Sequence, residues 1–191
     1  MNLVLASSSR YRRELLQRLQ IEFQVCAPEV DESPAANEIP ERTASRLAQE
    51  KARAVASRFP NSLIIGGDQV ATLDGKLLSK PGTKENAHKQ LRLMRGRKVS
   101  FHTAVALHNS ASGKTQVTLV PTVVLFRQLS DEQIESYLSK EPAFDCVGSA
   151  KVEGLGIALV ERMETVDTTA LIGLPLIALT DMLFAEGVTV I

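Results

Sequence analysis

Short apolar runs of strand character alternate with stretches of helical period along the first hundred residues, and that alternation places the chain among the α/β folds. "LVLA" (3–6) reads as a short buried strand, and "YRRELLQRL" (11–19) as a helix with Tyr11, Leu15 and Leu19 on one stripe. "FQVCAP" (23–28) is a second strand, closed by Pro28, and the polar, proline-punctuated "VDESPAANEIPE" is a loop. "ERTASRLAQEKARAVASRF" (41–59) is a strong helix, with Ala44, Leu47, Ala48, Ala52 and Val55 at helical spacing and Pro60 beyond its end. "SLIIGGD" is the next strand, and "TKENAHKQLRLM" (83–94) a helix opened by Thr83 as N-cap.

From residue 98 the pattern turns β-rich. "KVSFHTAVALHN", a Ser-Ala-Ser-Gly turn and "KTQVTLVPTVVLFRQL" read as a long hairpin. A capped helix follows at 130–140, then a strand over "GLGIALVERM" and a closing helix over "GLPLIALTDMLFAEG", with Pro175 near its first turn. The 191 residues are read as one domain, 1–191, in which the β-rich middle (about 98–160) is a candidate second lobe, the two lobes enclosing a cleft.

Composition excludes more than it assigns. Lys plus Arg equals Asp plus Glu at 22 each, so no global field draws nucleic acid or an anionic membrane, and any anion must be held by a local cluster. Only 4% of residues are aromatic, which also disfavours a nucleic-acid module. Cys26 and Cys146 lack metal or redox spacing and read as reduced, half-buried thiols, and none of the three histidines has a ligand spacing. The apolar stretch around Leu171–Leu179 is interrupted by Gly and Pro and falls short of a membrane span, so the expected setting is soluble and cytoplasmic.

Two anomalies point to chemistry. "ASSSRYRRELL" sets three hydroxyls and Arg10, Arg12 and Arg13 where a strand hands over to a helix, and cations sit badly at the positive end of the helix dipole. A bound anion, most naturally a phosphate, would turn the backbone donors, serines and guanidinium groups to common use; a solvated basic face is the competing reading. The second anomaly is "IIGGDQVATLDGKLLSKP" (64–81), where an apolar strand delivers Asp68 after two glycines and an Asp74-Gly75 turn brings back Lys80. The strand is expected to end at Asp68 and offer it as a general base or metal-binding acid, with Lys80 on a neighbouring phosphate. Glu32 lies in the loop after the second strand, and Lys51 stands at the end of the long helix's apolar stripe. Walker-A, GxGxxG and HExxH patterns are absent.

"LASSSRYRRELL", "PEVDE", "RLAQEKA", "GDQVATLDGKLLSKP" and "LIGLPLIAL", in that order, resemble the Maf family of nucleoside-triphosphate pyrophosphatases over nearly the whole chain. The resemblance implies a mixed α/β fold related to inosine-triphosphate pyrophosphatases, an elongated twisted sheet with flanking helices and two lobes around a cleft. It further implies a divalent cation (Mg or Mn), a homodimer, and hydrolysis of a nucleoside triphosphate to monophosphate and pyrophosphate. By position, Ser7 and Arg12 match phosphate-binding residues, with Arg13 as a further candidate contact. Glu32, Lys51 and Lys80 match active-site polar residues, and Asp68 the proton acceptor.

Three positions depart from the members that act on dTTP and UTP: Tyr11 replaces Arg, Gln69 replaces Thr, and Glu153 replaces Gln. "SKP" also stands where "GKP" is usual. The three substitutions resemble the 7-methyl-GTP branch, and the base's chemistry agrees. Methylation makes the ring cationic, which suits stacking on Tyr11, and a carboxylate such as Glu153 can accept from N1–H and the 2-amino group together. The expected activity is therefore 7-methyl-GTP pyrophosphatase. A dTTP/UTP pyrophosphatase, or a non-catalytic nucleotide-sensing regulator of cell division, are the alternatives.

Overall fold

The computed structural model describes residues 1–191. It is a mixed α/β structure whose sheet runs in the order β2-β1-β3-β5-β6-β7, with β4 pairing β3 off that path. In chain order the strands are β1 (Asn2–Ala6), β2 (Gln24–Cys26), β3 (Ser62–Leu73), β4 (Lys76–Leu78), β5 (Lys98–Asn109), β6 (Thr115–Phe126) and β7 (Val160–Glu164). The helices are α1 (Arg10–Gln17), α2 (Pro40–Ala54), α3 (Lys84–Met94), α4 (Asp131–Lys140), α5 (Thr168–Ile172) and α6 (Leu176–Ala185). The chain divides into two compact units. The first holds residues 1–69, 102–120 and 167–191, and the second 70–101 and 121–166. No helix is long and apolar enough to cross a membrane.

In the first unit, β1 pairs in parallel with β2 and with β3, the latter from Asn2↔Ser62 to Ala6↔Gly66. Side chains alternate across a strand, so each face of this sheet has its own partners. Leu3, Leu5, Leu63 and Ile65 pack with Leu15 and Leu16 of α1 and with Leu176, Leu179, Met182 and Leu183 of α6. Val4, Ala6 and Ile64 point the other way, onto Ala52 and Val55. Both faces are covered, which is why these strands read as unbroken apolar runs rather than alternating ones.

The second unit is built around two helices with side-chain caps. Thr83 Oγ1 accepts from Asn86 N–H at the start of α3, and Ser130 with Gln133 forms a full capping box on α4. The β3–β4 hairpin turns at Asp74 (φ 48°) and Gly75 (φ 76°), with positive φ at both central residues as in one of the two favoured two-residue hairpin turns.

Two expectations are corrected. "GLGIALVERM" is not strand throughout: Leu155–Leu159 is a 3₁₀ turn and β7 begins only at Val160. The amides of Gly154 and Gly156 both bond back to Lys151 O, at 3.0 and 2.9 Å, so the chain coils on itself before extending. A Cβ on Gly156 would lie 2.5 Å from that carbonyl oxygen. Nor does the third strand end at Asp68; β3 continues to Leu73. What ends there is the parallel pairing with β1, whose last partner is Gly66, so Asp68 sits just past that edge and before β4 joins at Ala71.

Candidate active site

The alternation along β3 decides what each residue of "GGDQ" meets. Gly66 faces α2 so closely that a Cβ there would run into Ala48 O and lie 2.8 Å from Ala52 N. Only a residue without a side chain lets the helix come down onto the strand. On the same face, two residues on, is Asp68, and Lys51 of α2 is directly above it: Nζ donates to Asp68 Oδ1 at 2.7 Å. Lys51 belongs to the buried stripe of α2 with Ala44, Leu47, Ala48 and Ala52, so its stem packs as an apolar residue would while its ammonium reaches the acid. The same Nζ is 2.6 Å from Glu32 Oε1. Lys51 is thus held between two carboxylates, one nearly buried and one, Glu32, that is 66% exposed.

Gly67 and Gln69 face the other way. A Cβ on Gly67 would lie 3.1 Å from Arg12 Nε and 3.3 Å from its Cδ, so the arginine side chain lies along the bare strand. Arg12 Nε is anchored on Gly173 O at 2.8 Å. Burial lowers the pKa of this guanidinium, and the negative charges of Asp68 and Glu32 act against that shift. Gln69 Nε2 donates to Thr103 Oγ1 (2.9 Å) and to the carbonyls of Ala170 (3.1 Å) and Leu171 (3.0 Å), tying β3 to β5 and α5.

At the head of α1, Ser9 is the N-cap and its Oγ accepts from Arg12 N–H. Buried Ser7 accepts from Ser9 N–H at 3.1 Å. Arg13 is exposed, and Tyr11 is half-buried. The Arg10 guanidinium lies 4.7 Å from the Tyr11 ring centroid and also donates to its hydroxyl at 2.6 Å. The phenol face already carries a cation.

The first unit therefore brings Glu32, Lys51 and Asp68 into one chain of ion pairs, with Arg12 laid on the strand beside the acid and Ser7 at the turn before α1. Lys80 and Glu153 are both exposed and belong to the second unit. Lys80 borders an open cavity of about 310 Å³ with Pro81, Asn86, Lys89 and Gln90. Sequence reasoning singled out the acid but gave no role to the glycines before it, although paired glycines inside an apolar strand are the usual sign of a close backbone approach. It had no signal for the Gly173 carbonyl or for Thr103.

The charge set also suits a particular kind of metal site. Glu32 and Asp68 are the carboxylates at the site, and nowhere in the structure do three or more His, Cys, Asp or Glu side chains converge as a metal cage. One or two carboxylates fit Mg²⁺ or Mn²⁺ ions that take their remaining ligands from substrate phosphates and water.

A family model described as "Maf-like protein" matches residues 2–186. Similar curated proteins include one from Methylobacillus flagellatus, 61% identical over 99% of this chain and 98% of its own length. Others are from Nitrosospira multiformis (58%; 99% and 96%) and Thiobacillus denitrificans (57%; 99% and 94%). All three are named 7-methyl-GTP pyrophosphatase.

Proposed function

The chain belongs to the Maf family, and on that premise we propose that it hydrolyses 7-methyl-GTP to 7-methyl-GMP and pyrophosphate, removing a modified nucleotide. The observation that carries the reading is the buried Lys51–Asp68 pair, extended by Glu32 and flanked by Arg12. A charged network set into the apolar stripe of a helix is costly to bury, and such networks concentrate where chemistry needs them.

In this reading Ser7, Arg12 and the start of α1 hold the phosphates, with Arg13 as an outer contact. Arg12 is anchored through Nε, which leaves the two Nη nitrogens of its fork for an anion. Asp68, one oxygen held by Lys51, takes a proton from the attacking water through the other. The water oxygen bonds to the α-phosphorus, the bond from that phosphorus to the bridging oxygen breaks, and pyrophosphate leaves with the bonding pair. Lys51 offsets the charge that develops, and Lys80 is a further phosphate-neutralising candidate. Glu32, with the phosphates, would hold a divalent cation. When bound, that cation polarises the phosphoryl oxygens.

Base choice is assigned to Tyr11, Gln69 and Glu153. The Tyr11 face, which holds the Arg10 guanidinium, would accept the cationic 7-methylguanine ring in its place. Glu153 would accept from N1–H and the 2-amino group, and Gln69, fastened to α5, would shape the site's wall. A cytoplasmic setting and a homodimer belong to the same proposal.

Initial rates on 7-methyl-GTP, GTP, dTTP and UTP, with pyrophosphate detection and with or without Mg²⁺ or Mn²⁺, test it. The methylated nucleotide should have the highest kcat/KM, and only with metal. Preference for dTTP or UTP would replace the substrate, and release of no pyrophosphate from any of them would leave a nucleotide-sensing role.

A further inference from the structure

Glu32 reaches Lys51 from a stretch, residues 27–39, that has no helix or strand of its own. Its side chain is 66% exposed, so packing alone does not hold it. The helix that carries Lys51 also carries the group that holds this stretch, Arg46. Arg46 Nε donates to Glu38 Oε1 at 2.8 Å and Nη2 to Glu38 Oε2 at 2.7 Å, a two-pronged fork on one carboxylate. Nη2 also donates to the carbonyl of Ser33, the residue after Glu32, at 3.1 Å. Nη1 bonds Glu50 Oε2 at 3.0 Å, which orients the guanidinium on its own helix.

Glu38 is engaged from other sides as well. Its Oε2 accepts from Ala35 N–H and from Thr43 Oγ1, each at 3.0 Å, and its side chain is only 10% exposed. The Arg46 bonds, followed by the Ala35 amide, hold the Glu38 carboxyl down at about 2. On the near side of Glu32, Asp31 Oδ1 accepts from Ser33 N–H at 2.9 Å. Both the amide and the carbonyl of Ser33 are therefore fixed, one by Asp31 and one by Arg46, and Glu32 is the residue between.

We propose that Arg46 and Glu38 are the positioning pair of this site: they fix the segment 31–38 so that the Glu32 carboxylate stays on Lys51 and, through it, beside Asp68. This rests on the assignment of Glu32 to the reacting site. An isolated surface ion pair would do little, but a forked bond with backbone contacts can order a loop. A reacting group misplaced by about 1 Å can lose about a hundredfold in rate.

The test uses Arg46→Lys, which keeps the charge but cannot reach Glu38 and the Ser33 carbonyl together, and Glu38→Gln, which keeps the shape but not the charge. Each should lower kcat by about ten- to a hundredfold, with a smaller change in KM and little change in Tm. In each variant, limited proteolysis within 31–38 should speed up. In a Glu32→Gln background, Arg46→Lys should change the residual single-turnover rate by less than about twofold, because its effect runs through a carboxylate already gone. Equal losses from Arg46→Lys in both backgrounds would mean a general structural role and overturn the proposal. So would wild-type kcat in both positioning variants while Glu32→Gln is inactive. Near-normal turnover of Glu32→Gln itself would instead remove Glu32 from the site, and the positioning role with it.

Discussion

In the first unit, the Lys51–Asp68 pair is closed over, its side chains 7% and 10% exposed, whereas in the second unit Lys89 and Glu85 meet in open solvent at 69% and 77%. Both pairs have Nζ within 2.7 Å of a carboxylate oxygen, yet the physics differs. The exposed pair is screened by water and salt and contributes almost nothing to folding. The buried pair has lost its hydration, so its charges depend on each other, and apolar residues of the same volume would often be the more stable choice. Equal distance is thus no measure of equal importance. The costly pair is the one that chemistry must justify.

Several substitutions would break or sharpen that contrast. The largest effect is expected from Asp68→Asn, which should lower kcat by about 10²–10⁴-fold while nucleotide still binds. Pyrophosphate release beside a binding titration checks it, and near-normal turnover would take Asp68 out of the base role. Lys51→Met should destabilise the fold by about 3–5 kcal/mol, since it strands the Asp68 carboxylate. Adding Asp68→Leu should restore Tm while leaving the protein inactive; if Tm stays low, the pair serves folding rather than catalysis. Gly66→Ala should cost about 1–3 kcal/mol in denaturant melts, because the new methyl meets the α2 backbone. Tyr11→Ala should raise KM for 7-methyl-GTP more than for GTP, a differential of about 0.5–2 kcal/mol; equal changes for both nucleotides would argue against stacking on the cationic base. At the small end, Lys89→Ala should leave Tm and kcat unchanged at low and high salt.

Elements with their own local signals were legible in the sequence. Thr83 and Ser130 announce α3 and α4, the Asp74-Gly75 pair announces its hairpin, and the 98–129 pattern announces β5 and β6. Where tertiary contact overrode local pattern, the reading slipped. The apolar run at 154–160 looks extended, but its glycines are there for a backbone that folds back on Lys151. The five-residue α5 is too short to show a period, and it exists because Asp167 caps Thr169 and accepts from Ile177 N–H as well. At the site, the residue types were visible and their contacts were not. Nothing local says that Glu32, Lys51 and Asp68 meet, because the meeting depends on β1 pairing with β3 and on α2 crossing one face. The part played by Arg46 and Glu38 was hidden for the same reason: on a helix and in a loop, each looks like ordinary surface charge.

The seat of α2 on Gly66 has a consequence for engineering. Peptide resting on peptide is a hard stop rather than a spring, so the spacing between the backbones that carry Lys51 and Asp68 is set there by the thickness of the main chain and not by a side chain that could be trimmed or swollen. Efforts to retune the proposed base choice would have to work elsewhere, at Tyr11 or Glu153. At that one position in the strand every letter but glycine pushes the helix away.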